Sequence, residues 1–89
     1  MVVKFIVVKT DGGKIIFGDR PAKDEFHGDI ANNHDIRRED IAGGGLADLN
    51  EKKIYGTSTG FGRYDPVTVK RLLPDWNVED WTALPPQAV

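Results

Sequence analysis

The residues of this chain best suited to chemistry are one histidine and two glycine-rich stretches that follow it. His27 stands in the block 25–30, at the expected start of a helix, and the glycine-rich stretches cover 43–45 and 54–62. Imidazole is the side chain whose ordinary pKa lets it accept and release a proton near neutrality. Helix starts and glycine-rich turns expose backbone N–H groups that hold anions. We therefore predict a small site that binds a phosphate and moves a proton beside it.

Two further residues are candidates for holding an anion. Lys4 interrupts an apolar strand, so its ammonium group either snorkels from the strand edge or points into a polar pocket that an anion shares. Ser58 lies between Gly56 and Gly60 and is either a turn residue or part of the anion site. The glycines 43–45 are not followed by the Gly-Lys-Ser/Thr of a P-loop. We expect them to mark a strand that a helix or another backbone approaches closely.

Metal-based and thiol-based chemistry find little support in the residues present. The chain has no cysteine, which removes thiol nucleophiles and zinc thiolates. His34 follows His27 at a distance of about 10 Å along a helix and lacks the i,i+4 spacing of helical zinc ligands. No Asp-x-Asp motif is present, and Asp29 beside His27 supplies too few ligands for a two-metal site. We expect no metal and no cofactor, and a surface position for His34.

Length and charge exclude several classes of protein. Eighty-nine residues predict one domain with a modest core. The net charge of -2 argues against a nucleic-acid partner, because nucleic-acid binders normally carry a basic excess. The apolar run 2–8 is too short for a signal peptide or a membrane span. We expect a cytoplasmic monomer with neither nucleic-acid nor membrane partners.

The elements that must position these residues follow from the hydrophobic pattern. The run 2–8 predicts a central strand buried on both faces. Residues 11–13 predict a hairpin to a second strand over 14–18. A helix is expected next, with Asp24 as its N-cap or with a start nearer His27, fading around residue 38.

The second half of the chain contributes three strands or strand-like segments and one helix. Asp65 followed by Pro66 predicts the start of that helix, and Pro74 its end. Trp76 and Trp81 are expected to pack on the last strand, and the basic pairs 37–38 and 70–71 to be solvated helix faces. A kinked strand is expected over 41–49, a turn over 49–52 and a further strand over 53–58. A loop is expected over 59–65 and the last strand over 76–81.

The predicted chain order is therefore β-β-α-β-β-α-β. This order defines an α+β fold with a single mixed β-sheet flanked by two helices. The predicted domain covers 1–84, and the prolines at 85–86 predict a loose tail over 85–89.

Five stretches, in the same order and at compatible spacing, resemble the fourteen-kilodalton phosphohistidine phosphatase family, also called Janus/Ocnus. The resemblance covers roughly residues 3 to 81. Each stretch alone is unspecific, and their order gives the resemblance its weight. They are the lysine-bearing strand 4–8, the aromatic-His-small-Asp-Ile block 26–30, the triple glycine 43–45, the Tyr-Gly-x-Ser-x-small-aromatic-Gly block 55–62, and the helix running into 74–76.

The resemblance implies a mixed sheet flanked by two helices and a catalytic role for His27. It also implies that Lys4 assists. The chain departs from the family in being shorter between the histidine and the glycines, and in carrying Leu46 where the eukaryotic members have a basic residue. The backbone amides implied to hold phosphate are those of His27, Gly28, Ser58, Thr59 and Gly60.

The expected function is metal-independent hydrolysis of phosphohistidine in proteins or of a small phosphoramidate. His27 would act as general base or as nucleophile, and the residues do not separate the two. One alternative is a non-catalytic phosphate- or phosphoprotein-binding module of the same fold. A third possibility is a structural interaction domain that uses 43–45 and the last strand as its contact surface.

Overall fold

Strand β1 (Val2–Val8) is an interior strand of one five-stranded sheet in the computed structural model. It pairs antiparallel with β2 (Lys14–Phe17) on one side and with β3 (Ile41–Asp48) on the other. β3 pairs antiparallel with β4 (Lys53–Tyr55), and β4 pairs parallel with β5 (Asn77–Val78). The order across the sheet is β2-β1-β3-β4-β5. The sheet is therefore mixed. The apolar run forms an interior strand paired on both sides, whereas the middle position predicted for it belongs to β3.

Two seven-residue helices complete the fold, α1 (His27–Asn33) and α2 (Pro66–Leu72). The structure describes residues 1–80, so Trp81 and the predicted tail 85–89 lie outside the described residues. Within 1–80, no helix is long and apolar enough to cross a membrane. The α+β class, with one mixed sheet and two helices, is confirmed. Three short 3₁₀ turns, which the sequence did not predict, cover Thr10–Gly12, Ala22–Asp24 and Arg38–Asp40.

The two faces of the sheet carry two separate apolar clusters, because neighbouring side chains of a strand point to opposite faces. The odd-numbered residues of β1 pack with Val69 of α2 and with Tyr64. The even-numbered Ile6 and Val8 pack with Ile30 of α1. Lys4 shares the alternation of Ile6 and Val8 and therefore lies on the α1 face.

Helix α2 begins as predicted. The Asp65 carboxylate accepts a hydrogen bond from the Val67 N–H at 3.0 Å, and Thr68 Oγ1 donates to its second oxygen at 3.0 Å. Pro66 occupies the first helical position, where a missing N–H is harmless.

Helix α1 differs from the prediction at both ends. Asp24 is not its N-cap, because that residue ends a 3₁₀ turn and the helix begins at His27. The entry is held instead by Asp29, whose Oδ2 accepts from the Phe26 N–H at 2.9 Å. The helix ends at Asn33, well before residue 38, and Asp35 has a left-handed backbone with φ of 57°.

The glycines of β3 allow a close approach by neighbouring backbone, as predicted. A Cβ atom on Gly45 would lie 2.6 Å from the Tyr55 carbonyl oxygen, and one on Gly43 would collide with the Arg63 carbonyl. The strand is also irregular, since its register against β1 shifts between Val7 and Val8. The outer strands are shorter than predicted: β4 ends at Tyr55 and β5 has two residues.

Candidate active site

An open cavity of about 460 Å³ lies at the start of α1. Four segments line it: β1, the first residues of α1, the 3₁₀ turn that precedes β3, and the loop that follows β4. All six residues predicted from the sequence as catalytic or phosphate-binding border this one cavity, although their roles stay predictions. The lining residues are Lys4, Phe26, His27, Gly28, Arg38, Ser58, Thr59, Gly60 and Phe61.

His27 is the first residue of α1, and its side chain is held against β3. The residue is 7% exposed, and its Nε2 lies 3.0 Å from the Gly45 carbonyl oxygen. Because a carbonyl oxygen can only accept, Nε2 must carry the hydrogen and donate it. In the neutral ring the lone pair therefore belongs to Nδ1, which is the atom able to take up a proton.

The glycines of β3 leave the space into which this imidazole fits. A Cβ atom on Gly44 would lie 3.0 Å from His27 Cδ2 and 2.5 Å from the Phe5 carbonyl oxygen. The ring edge formed by Nε2 and Cδ2 thus faces the backbone of β3. The edge that carries Nδ1 is turned away from that strand.

The environment of His27 favours the neutral ring. Burial lowers the pKa of His27 below its ordinary value of 6.5, and the positive charge of Lys4 lowers it further. The hydrogen bond to Gly45 opposes these effects without reversing them. At pH 7 the imidazole is therefore neutral and ready to accept a proton.

Two cations line the cavity, and each lies against an aromatic ring. Lys4 Nζ is 5.2 Å from the centre of the Phe26 ring, and Arg38 Cζ is 5.0 Å from the centre of the Phe61 ring. Arg38 also donates from Nη2 to the Gly60 carbonyl oxygen at 2.8 Å. These contacts place Lys4 at a pocket rather than at a solvated strand edge.

The cavity is electropositive although the chain as a whole is acidic. None of its nine lining residues is a carboxylate, whereas the whole chain has a net charge of -2. The one acidic residue of α1, Asp29, directs its carboxylate to the Phe26 N–H. A cavity with two cations and no carboxylate among its lining residues attracts anions.

Ser58 shapes the loop 58–62 through three hydrogen bonds. Its N–H donates to the Gly44 carbonyl at 3.1 Å, its carbonyl accepts from the Gly62 N–H at 2.8 Å, and its Oγ accepts from the Phe61 N–H at 3.1 Å. The phosphate contact expected from the Ser58 backbone amide is therefore wrong for this structure, because that N–H already donates to the Gly44 carbonyl of β3. The hydroxyl hydrogen of Ser58 is not used by the bond to Phe61 and can still be donated.

Other backbone N–H groups at the cavity are open to an anion. The first turn of an α-helix leaves its leading N–H groups without intrahelical partners. Over residues 1–80, no acceptor engages the N–H groups of His27, Gly28 or Gly60. A Cβ atom on Gly28 or Gly60 would meet nothing within 4 Å, so both glycines border open space. Thr59, between Ser58 and Gly60, also lines the cavity.

The part of the chain that the structure describes contains no cluster of three or more His, Cys, Asp or Glu residues placed to hold a metal ion. His34 follows the last residue of α1 and is exposed, as predicted.

Sequence reasoning missed three lining residues. Arg38 was expected on a solvated helix face, but it belongs to a 3₁₀ turn and reaches a carbonyl 22 residues away. No local pattern indicates such a contact. Phe26 did carry a signal, because it precedes the helix at a position where Ser, Thr, Asp or Asn is preferred. In the structure its side chain is 74% exposed. Phe61, half-buried beneath Arg38, entered the sequence analysis only as the aromatic residue of the block 55–62, with no role assigned to it.

No protein-family model, curated protein or solved structure matches this chain. The resemblance to the phosphohistidine phosphatase family therefore rests on the five sequence stretches alone.

Proposed function

We propose that this protein hydrolyses phosphoryl groups bound to nitrogen, without a metal ion, and that phosphohistidine in a protein is its substrate. One observation carries the proposal. A single cavity brings a neutral imidazole together with two cations, open backbone N–H groups and no carboxylate among its lining residues. This combination suits a dianionic group beside a proton acceptor.

The cavity can stabilise a phosphoryl group in the way that its transfer requires. Phosphoryl transfer depends on positioning and on charge stabilisation more than on covalent assistance. The N–H groups of Gly28 and Gly60 and the hydroxyl of Ser58 are donors for its oxygens. Lys4 and Arg38 balance its negative charge.

His27 can act on this group in two ways. As a general base, Nδ1 takes a proton from water while the water oxygen attacks phosphorus, and the P–N bond breaks with the electron pair leaving on nitrogen. As a nucleophile, Nδ1 itself attacks phosphorus while the P–N bond of the substrate breaks with its electron pair on the leaving nitrogen, and water then cleaves the new P–N bond to release inorganic phosphate. In both cases the hydrogen bond from Nε2 to Gly45 keeps the ring in place and the lone pair on Nδ1.

A non-catalytic phosphate-binding module is the second candidate, and one observation favours it. His27 is only 7% exposed, so a water molecule must reach a nearly buried nitrogen. The cations and N–H groups would bind a phosphorylated partner even if that access failed.

The deciding experiment incubates the purified chain with a phosphohistidine peptide and with phosphoramidate, each in the presence of a strong chelator. Release of inorganic phosphate above the spontaneous rate supports hydrolysis, and loss of activity that zinc or magnesium restores would refute the metal-independent mechanism. Phosphate-dependent NMR shifts at Gly28 and Gly60 without turnover would identify the binding module. Acid-labile phosphate retained on His27 after a rapid quench would identify the nucleophilic route.

A further inference from the structure

Arg38 makes contacts that an ordinary surface cation does not make, because it binds both Gly60 and Phe61 of the loop 58–62. We propose that Arg38 is the positioning residue of the phosphate site: it fixes the tip of loop 58–62 and adds a second positive charge at the bound oxygens. This role rests on the proposed phosphate binding, but it does not require turnover.

The two ends of loop 58–62 are already held from the inside. The Ser58 N–H donates to the Gly44 carbonyl, and the Gly44 N–H donates to the Gly62 carbonyl at 3.2 Å. Both bonds attach the loop to β3. They leave the orientation of the intervening Gly60 to another contact.

Arg38 supplies that contact from across the cavity. Its Nη2 donates to the Gly60 carbonyl oxygen at 2.8 Å while its guanidinium lies on the Phe61 ring. Glycine is the residue with the greatest backbone freedom, so an unrestrained Gly60 would sample many orientations. Fixing its carbonyl therefore also limits the directions in which its N–H can point.

The same guanidinium retains donors for an anion. Arginine has five N–H donors in a planar fork, and the bond to Gly60 uses one of them. Arg38 is exposed and lines the cavity, so its other donors can reach phosphate oxygens while the loop contact persists. One side chain can thus align the loop and neutralise the ligand.

Arg37 offers a matched control in the neighbouring position. It is exposed like Arg38 but does not line the cavity, and its Nε pairs with Asp40 at 3.2 Å and with Glu39 at 3.7 Å. Arg37→Ala and Arg38→Ala change the net charge of the chain equally. A difference between them therefore measures the position of the charge and not its amount.

The test titrates inorganic phosphate into the wild type, Arg38→Ala, Arg38→Lys and Arg37→Ala, with binding followed by calorimetry and by ¹⁵N–¹H NMR. Loss of a charged hydrogen bond predicts phosphate affinity about ten- to a hundredfold weaker in Arg38→Ala. We expect Arg37→Ala to stay within about twofold of wild type, because it removes only a screened surface charge. Arg38→Lys keeps the charge without the fork and should recover only part of the loss.

A second readout separates positioning from a general structural effect. In ligand-free Arg38→Ala, the amide resonances of Gly60 and Phe61 should move while those of β1 stay in place, and added guanidinium ion should restore part of the phosphate affinity. Equal phosphate affinity in Arg38→Ala and Arg37→Ala would overturn the proposal. So would an affinity loss explained entirely by unfolding in the melting curve, or a wild type that binds no phosphate.

These outcomes are distinguishable from those of the proposed hydrolysis. If the wild type binds phosphate through Arg38 but releases none from phosphohistidine, the hydrolysis fails and the role of Arg38 stands. If the wild type hydrolyses phosphohistidine and Arg38→Ala matches it in both KM and kcat, the role of Arg38 fails and the hydrolysis stands.

Discussion

Two buried titratable rings lie on opposite faces of the same sheet, Tyr64 beside α2 and His27 at the start of α1. They are 1% and 7% exposed. Burial raises the pKa of the Tyr64 hydroxyl well above its usual range, and burial lowers the pKa of the His27 imidazole. In both cases burial favours the neutral form of the side chain, for the same physical reason.

The two rings differ in the hydrogen bonds that their polar atoms make and in what lies beside them. The Tyr64 hydroxyl donates to the Glu79 carbonyl at 2.9 Å, and its ring packs against Phe5 at a centre-to-centre distance of 5.6 Å. His27 uses Nε2 on Gly45 and keeps the Nδ1 edge away from β3, beside a cavity with two cations. Burial alone thus makes a stable core residue. Burial beside an electropositive cavity makes a proton acceptor with an adjacent place for an anion.

The largest expected difference between the α1 face and the α2 face of the sheet is the loss of turnover in His27→Ala. Because general base catalysis contributes about 10²- to 10⁴-fold, turnover of phosphoramidate should fall at least about a hundredfold while the chain remains folded. The measurement is phosphate release together with a thermal melt. His34→Ala is the matched control and should change little, since His34 is exposed. Turnover within about tenfold of wild type, an effect of only about 1.4 kcal/mol, would contradict a catalytic role.

Lys4→Met tests whether the α1 face is specialised for anions. Methionine keeps much of the apolar stem but removes the charge, so stability should hold while phosphate affinity falls about ten- to a hundredfold. Lys14→Met is the control, because Lys14 is exposed on β2 and does not line the cavity. Phosphate titrations of the two variants give the comparison. Equal affinities would mean that Lys4 only snorkels from its strand.

Tyr64→Phe should produce the opposite result. It removes the hydrogen bond to Glu79 inside a packed cluster and should lower the free energy of unfolding by about 1–3 kcal/mol. Phosphate affinity should stay at the wild-type value, since Tyr64 does not line the cavity. Urea denaturation measures the first quantity and calorimetry the second. A loss of affinity without a loss of stability would show that the two faces are not separate in this way.

The smallest effect concerns pH. Because the pKa of His27 is lowered in the folded chain, the unfolded chain binds more protons between the folded value and about 6.5. Stability should therefore decrease as the pH falls from about 6.5 through the folded pKa, and turnover should decline over the same acidic range. An NMR titration of the His27 ring measures that pKa directly. A midpoint at or above 6.5 would contradict both statements.

The parts of the fold that the sequence predicted correctly depend on local signals. The apolar run of β1 matches the structure at both ends, and the Asp65-Pro66 pair locates the start of α2. The glycines of β3 indicated a close approach, and the structure shows which atoms approach. The six residues expected at the site, several of them through the family resemblance, border one cavity, and their roles stay predictions.

The parts that could not be predicted depend on contacts between distant segments. Arg38 meets Gly60 only because a 3₁₀ turn and a loop face the same cavity. The Ser58 N–H is lost to the site because β3 presents the Gly44 carbonyl to it. Helix α1 ends before residue 38, and the backbone turns left-handed at Asp35. Aspartate adopts this conformation only occasionally, so its presence in the sequence does not predict the end of a helix.

The brevity of α1 has a consequence for the lifetime of the site. A helix of seven residues is marginal on its own, so α1 is held mainly by the docking of Ile30 and Ala31 on the sheet. Local opening can therefore remove His27 and Gly28 from the cavity while the five strands stay paired. We expect the amide hydrogens of α1 to exchange with solvent faster than those of β1, and bound phosphate to slow that exchange by mass action. The phosphate site would then form and open together with α1, and bound phosphate would favour the formed state.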